Sequence, residues 1–199
     1  FLKQALIELA PDRGVLQQPV MDAAYAEATA PLWAWYDALR PNLWRGGEAF
    51  PENESVQQRM LNDGVVDIAM SFDPASTAAA IRQGLLPESA RVFVPKGGTI
   101  GNVSFVAIPY NAANRAGAMV VANFLLDPGT QAHMQNIEVL GSYSVLDPAK
   151  LDAAAQAAFA ALPDAPALPD LDQLGPTLLE PHPSWMTRLT EDWARRYTR

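Results

Sequence analysis

The stretch GNVSFVAIPYNAANRAGAMVVANFLLDPGTQ, residues 101–131, decides how this chain is read. Val103–Ile108 is β-rich and ends at Pro109. After a polar knot comes a helical run from Ala116 to Leu126 in which Asn123 is the one polar side chain, and Asp127-Pro128-Gly129 stops it. A helix apolar on nearly all sides needs cover from several directions. A strand delivered into such a helix is a unit of α/β architecture.

Outward from that stretch, strand and helix signals alternate. FLKQALIEL (1–9) sets Phe1, Leu2, Ala5, Leu6 and Leu9 on one helical stripe, and a second helix is predicted from Val20 to Leu39, with Pro31 as a point of interruption. An extended segment is expected over Leu43–Phe50. Ser55 and Gln58 have capping-box spacing for a short helix that closes at Gly64. VVDIAMS (65–71) alternates as a short buried strand, and a helix follows over Ala75–Gln83. Two β-rich runs flank KGGTIGN (96–102). Asn111 is the expected cap of the apolar helix, and Asp127-Pro128 and Asp147-Pro148 are cap-plus-Pro helix starts. PDAPALPDLDQLGP (163–176) is a Pro-rich traverse. HPSWMTRLTEDWARRY (182–197) is an amphipathic helix with Trp185, Leu189, Trp193 and Tyr197 near one stripe, whose expected role is packing within the protein.

Composition narrows the function. The 199 residues are 49% hydrophobic and 18% charged, with a net charge of −8, so a phosphate-binding face built on clustered Lys and Arg is not expected, and neither is a nucleic-acid partner. Without cysteine, thiol catalysis and zinc–thiolate sites are excluded. His133 and His182 have no companion at metal-ligand spacing, so no metal and no cofactor are expected. No apolar run reaches the roughly 20 residues of a transmembrane helix. No Gly-x-Ser-x-Gly elbow, phosphate-binding loop, dinucleotide fingerprint or His-Glu-x-x-His occurs, which points away from an enzyme and leaves no catalytic residue to name.

The order of GVVDIAMS (64–71), GLLP (84–87) and VFVPKGGTIGNVSFVAIPYNAANRAGAMVVANFLLDPGTQ (92–131) resembles the extracellular solute-binding proteins of bacterial ABC importers. The branch is that of the type II periplasmic binding proteins for thiamine, polyamines and ferric iron. LWRGGEAFPENES (43–55) and FLKQAL (1–6) look like an uncharacterised subfamily of it. The resemblance spans most of the chain and rests on the order and spacing of motifs rather than on any single one.

It implies a type II periplasmic-binding-protein fold, here a C-terminal fragment. Residues 1–92 are then the second lobe, and residues 93–199 the hinge crossover, part of the first lobe and the C-terminal helices. It further implies capture of a small solute between lobes, an ABC permease of the inner membrane as partner, a periplasmic location, and a preceding segment of comparable length. Residues after about 100 would lack partner strands, so the fragment is expected to self-associate or to be unstable. The alternatives are a protein-interaction module and, behind it, a hydrolase.

In an α/β architecture the loops at strand C-terminal ends are the candidate ligand contacts. Ser71 and Phe72 follow the VVDIAM strand (65–70), although Ser71 equally serves to open the turn at Asp73-Pro74. Asn102, beside Gly101 and Ser104, can present amides to a ligand or simply supply a hinge. Tyr143 borders the cleft in the resembled family, or packs over a helix junction. Glu52, Asn53 and Glu54 precede a helix, where carboxylates are favoured by the dipole alone. Facing a cleft, Glu52 and Glu54 instead suit a cationic, thiamine- or polyamine-like solute, with Trp33 or Trp35 adding cation–π attraction. Core packing is the other role for Trp33.

Overall fold

The computed structural model describes residues 1–101, 103–169 and 171–197. It is a mixed, helix-rich α/β protein. Among the described residues there are eight α-helices and one two-stranded parallel pairing. The chain divides into two compact units, each assembled from separated segments. The first holds Phe1–Met70, Val94–Gly101 and Asp170–Arg199, and the second Ser71–Phe93 and Asn102–Pro169.

The first unit is built on three helices: α1 (Leu2–Leu9), α2 (Asp22–Leu39) and α8 (Pro183–Tyr197). Leu6 of α1, Leu16 of the intervening turn, Leu32 of α2 and Trp185 and Leu189 of α8 meet in one buried core. The inward stripe of α8 is the one its periodicity predicts. Trp185 is fully buried, and its Nε1 donates to the Gln18 carbonyl at 2.9 Å. Ser184 Oγ accepts from the Val20 amide, and the His182 amide donates to the Leu16 carbonyl. α2 runs unbroken through Pro31, because tertiary packing of Tyr25, Leu32, Trp33 and Tyr36 outweighs one lost backbone bond.

β1 (Thr99–Ile100) pairs in parallel with β2 (Thr177–Leu178) and is held to α1 by Gln4. The Gln4 side-chain amide donates to Gly98 O at 2.9 Å and accepts from the Ile100 amide at 3.2 Å. Gly98 lies so close to the Pro176 carbonyl that a Cβ there has no room.

α3 (Glu54–Asn62) closes with Gly64 at φ 66°. The Val65 amide reaches back to Met60 O at 2.8 Å, the bond expected of a left-handed C′ glycine. The expected box at Ser55 and Gln58 is not used, since Asn53 is the cap and its side chain accepts from the Val56 amide. The segment after Gly64 is not a strand. Ile68 is 71% exposed and among the described residues no strand pairs with it, and an alternating pattern makes no strand without a ladder partner. Leu43–Gly47 forms tight turns rather than an extended run. Arg45, at φ 51°, is the described non-glycine residue with a left-handed backbone.

The second unit contains α4 (Pro74–Arg82), α5 (Arg115–Leu125), α6 (Pro128–Gln135) and α7 (Ala153–Ala160). Asp73 caps α4, and Asp127 caps α6 ahead of its N1 proline as expected. α5 is capped by Asn114 rather than Asn111. Asp147 starts only a 3-10 turn, and the Ala-rich helix waits for Asp152.

The second unit buries small side chains, Ala75, Ala78, Ala80, Ala132 and Ala167, with Leu86. Its organiser is the buried Gln131. Nε2 donates to Leu125 O at 2.6 Å, while Oε1 accepts from Ser144 Oγ at 3.0 Å and the Val145 amide at 3.2 Å. Two expectations fail in this unit. Val103–Ile108 forms no strand, and no residue of α5 is buried.

Replacing the indole at 185 removes both core volume and the tie to Gln18. We expect Trp185→Ala to lower unfolding stability by about 3–5 kcal/mol in urea titration. A loss below about 1 kcal/mol would show that α8 is not part of the first unit's core.

Candidate ligand-facing residues

Trp33, Trp35, Glu52, Asn53 and Glu54, all singled out from the sequence, belong to the first unit. Asn53 Oδ1 accepts the Val56 amide at 2.9 Å, so its side chain satisfies one of the open donors at the start of α3. Glu52 is exposed just before this helix and Glu54 stands in its first turn, two carboxylates at a positive helix end. Gln57, one turn on, accepts from the Met70 amide and draws the 65–70 segment back onto α3.

Trp33 is buried, taking the core role rather than presenting an open wall. Its ring lies 6.1 Å from that of Tyr197, and the Arg196 guanidinium sits 5.1 Å from its centroid. The aromatic face counted on for a cationic solute thus carries a resident cation.

Around it lies a larger aromatic cluster that the sequence spacing only half revealed. Tyr36 packs edge-on to Trp193 at 4.6 Å and to Tyr197 at 4.8 Å, and Phe50 meets Trp193 at 5.4 Å. Phe1 lies against Trp35 at 5.5 Å. Phe1, Trp35 and Phe50 are the large hydrophobic members of this cluster that remain exposed. Phe50 opens the 50–55 loop, one of those expected from the sequence to border a site, but its packing on Trp193 was not foreseen. Its position two residues before Glu52 was the available signal.

Polar groups in the cluster are unevenly served. Tyr25 OH donates to the buried Asp192 carboxylate at 2.9 Å, and Tyr197 OH donates to Asp37 at 2.7 Å. Trp33 Nε1 and Tyr36 OH are buried without a hydrogen-bond partner among the described residues. An unsatisfied buried donor carries its desolvation cost unrelieved. We expect Tyr36→Phe to leave stability unchanged or higher, and Tyr25→Phe to lower it by about 1–2 kcal/mol. A clear loss in Tyr36→Phe, read by thermal melts, contradicts the unpartnered hydroxyl.

Burial raises the Tyr25 and Tyr36 phenols above their ordinary value of 10.0. Tyr197 is pushed up to about 12, by burial first and then by the hydrogen bond and charge of Asp37. The folded state therefore holds these protons more tightly than the unfolded chain. The stabilisation is complete below pH 10 and is lost as pH rises from there toward about 12. We expect the melting temperature to fall over that window and to fall less steeply in Tyr197→Phe. A flat profile contradicts the raised phenols.

In the second unit Ser71 is engaged in its turn. Oγ donates to Asp73 O at 2.8 Å and lies 2.9 Å from Ser76 Oγ, while the Asp73 amide reaches it at 3.2 Å. Phe72 is 88% exposed. Tyr143 OH donates to Pro169 O at 3.0 Å, the packing role. Asn102 lies outside the described residues. Trp33, Glu52 and Asn53 thus belong to one unit, and Ser71, Phe72 and Tyr143 to the other.

The outer face of α8 carries a shallow, open depression lined by Met186, Thr187, Thr190 and Glu191. Among the described residues no group of three or more His, Cys, Asp or Glu side chains is placed to hold a metal ion. Among them, too, no helix is long and apolar enough to cross a membrane.

The sequence is 41% identical over 198 residues to Protein YnjB of Escherichia coli. The match covers 99% of this chain and 49% of that protein, so the chain spans about half the length of its relative. No protein-family model matches the sequence, and no solved structure matches it either.

Proposed function

We propose that the chain is part of a type II periplasmic solute-binding protein, the capture component of an ABC import system. It takes up a small cationic solute, thiamine-like or polyamine-like, without chemical turnover, and hands it to an inner-membrane permease. The observation that carries the reading is the path of the chain. Two compact units are each built from separated segments, three in the first and two in the second. A chain that passes repeatedly between two units suits a binder that works by hinge bending.

The cationic preference rests on Glu52 and Glu54 at the start of α3 and on exposed Phe50 and Trp35, aromatic faces a solute can reach. The interaction-module alternative loses its main argument, because Trp185 and Leu189 of α8 are fully buried in the first unit.

The deciding experiment is native mass spectrometry on the full-length gene product purified from the periplasm, followed by calorimetry with thiamine, spermidine and a neutral sugar. We expect one retained mass that leaves on unfolding, and saturable 1:1 binding of a cation. In Glu52→Gln that affinity falls by roughly tenfold, about 1.4 kcal/mol, with the melting temperature unchanged. A protein that stays bare toward all three compounds, or that converts one of them, overturns the reading.

A further inference from the structure

The stretch LWRGGEAFPENES (43–55) contains a backbone conformation that one of its side chains resists. Arg45, Gly46 and Gly47 follow one another with φ of 51°, 63° and 67°, three left-handed residues in a row. At Gly47 a Cβ would crowd the Arg40 side chain. At Gly46 a Cβ would meet open space, so glycine serves there for its backbone alone. By the same logic glycine is the relaxed choice at 45, yet that position holds an arginine. A left-handed residue with a side chain costs folding free energy, and such residues gather at functional sites.

Nothing around Arg45 gives it a structural duty to offset that cost. Elsewhere arginines pair with carboxylates, as Arg82 does with Glu138 and Arg188 with Asp22, and Arg40 donates to the Gly47 carbonyl. Arg45 is exposed and has no acidic partner among the described residues. Arg59 and Arg115 form no ion pair among them either, but theirs is relaxed helical backbone. The Arg45 guanidinium lies over the Trp44 ring, 4.5 Å from its centroid. Stacking occupies the face of a guanidinium and leaves its edge donors for an acceptor.

That edge matches a single carboxylate, which it holds through two parallel hydrogen bonds. Glu48 and Glu52 stand in the same stretch, in a chain of net charge −8. Their field disfavours a doubly charged phosphate and favours a ligand that brings positive charge with it. We infer that Trp44 and Arg45 form a recognition point for a carboxylate carried beside a positive charge. Assigning that carboxylate to the captured solute rests on the transport reading, and it narrows the cationic solute to one that bears an acid group as well.

Nuclear magnetic resonance on the full-length gene product tests this at the Arg45 Nε–H, identified as the signal missing from Arg45→Gln. Sodium acetate should shift it saturably, beyond the effect of sodium chloride at equal ionic strength. Lysine should do so at a roughly tenfold lower concentration, its amines held by the acidic neighbours, and cadaverine, which is lysine without the carboxylate, should not. In thermal melts Arg45→Gly should match or exceed the unaltered protein and stand about 1–2 °C above Arg45→Ala. A structural arginine would instead lose stability in both variants. The inference is overturned by an acetate response no larger than that to chloride, or by a stronger response to inorganic phosphate. Lysine acting no better than acetate, cadaverine matching lysine, or a melting temperature that falls in Arg45→Gly overturns it equally. The acetate titration needs no captured solute, so its failure is distinct from a failure of the transport reading.

Discussion

The first unit depends on the seat of Trp185. Its indole is fully buried, hydrogen-bonded to Gln18 and packed 5.9 Å from the Tyr25 ring. That one residue brings the last helix onto the first two, reaching back 167 positions to Gln18 and 160 to Tyr25. Without it α1, α2 and the turn between them expose Leu6, Leu32 and Leu16, and an eight-residue helix such as α1 has little stability of its own. The bond from Tyr25 to Asp192, one turn past Leu189, then fixes the rotation of α8. Apolar burial supplies the attraction and a charge-assisted hydrogen bond supplies the register.

The second unit is organised on another principle. Alanines bury little area each, so hydrophobic burial alone gives it a thin core. Polar ties take over the positioning. Gln131 gathers the α5–α6 corner and the Ser144–Val145 loop, Gln135 accepts from the Ser144 amide, and the Val92 amide donates to Ala167 O. Arg82 pairs with Glu138 at the surface, where such a pair adds little. Large apolar side chains are present in this unit, but Phe105, Phe124 and Val120 face outward.

This contrast explains how much of the molecule could be read in advance. Helices were legible because their signals are local: the stripe of α1, the Asp127-Pro128 start of α6 and the Gly64 stop of α3 all lie within a few residues of the element they control. Caps slipped by two to five residues where several side chains compete, as Asn53 does with Ser55 and Asn114 with Asn111. Strands failed for a different reason. The alternation in Val65–Ser71 is real, but a strand is completed by a partner elsewhere in the chain, and within the described residues that partner exists only for Thr99–Ile100. The candidate site was legible as a set of residue types, and less so as roles. Helical spacing in α2 does not tell a buried Trp33 from an open one; the turn at Asp73-Pro74 did offer Ser71 its local role, whereas nothing near Tyr143 in sequence reveals the Pro169 carbonyl within reach of its hydroxyl.

The aromatic cluster sets the terms on which a cation can bind the first unit. Arg196 over Trp33 and Arg40 over Tyr197 are tethered cations, held in place by the fold. A single cation–π contact contributes about 0.5–2 kcal/mol. A dissolved solute must spend translational freedom to make it, whereas the tethered guanidinium has already done so. Displacement at Trp33 or Tyr197 is therefore unfavourable for a small cation at ordinary concentrations. Among the described residues no cation sits over Phe50 or Trp35, and Phe50 precedes Glu52 by two residues. Within the transport proposal, the attraction for positive charge thus moves from the buried Trp33 to the exposed rings and the carboxylates at the start of α3.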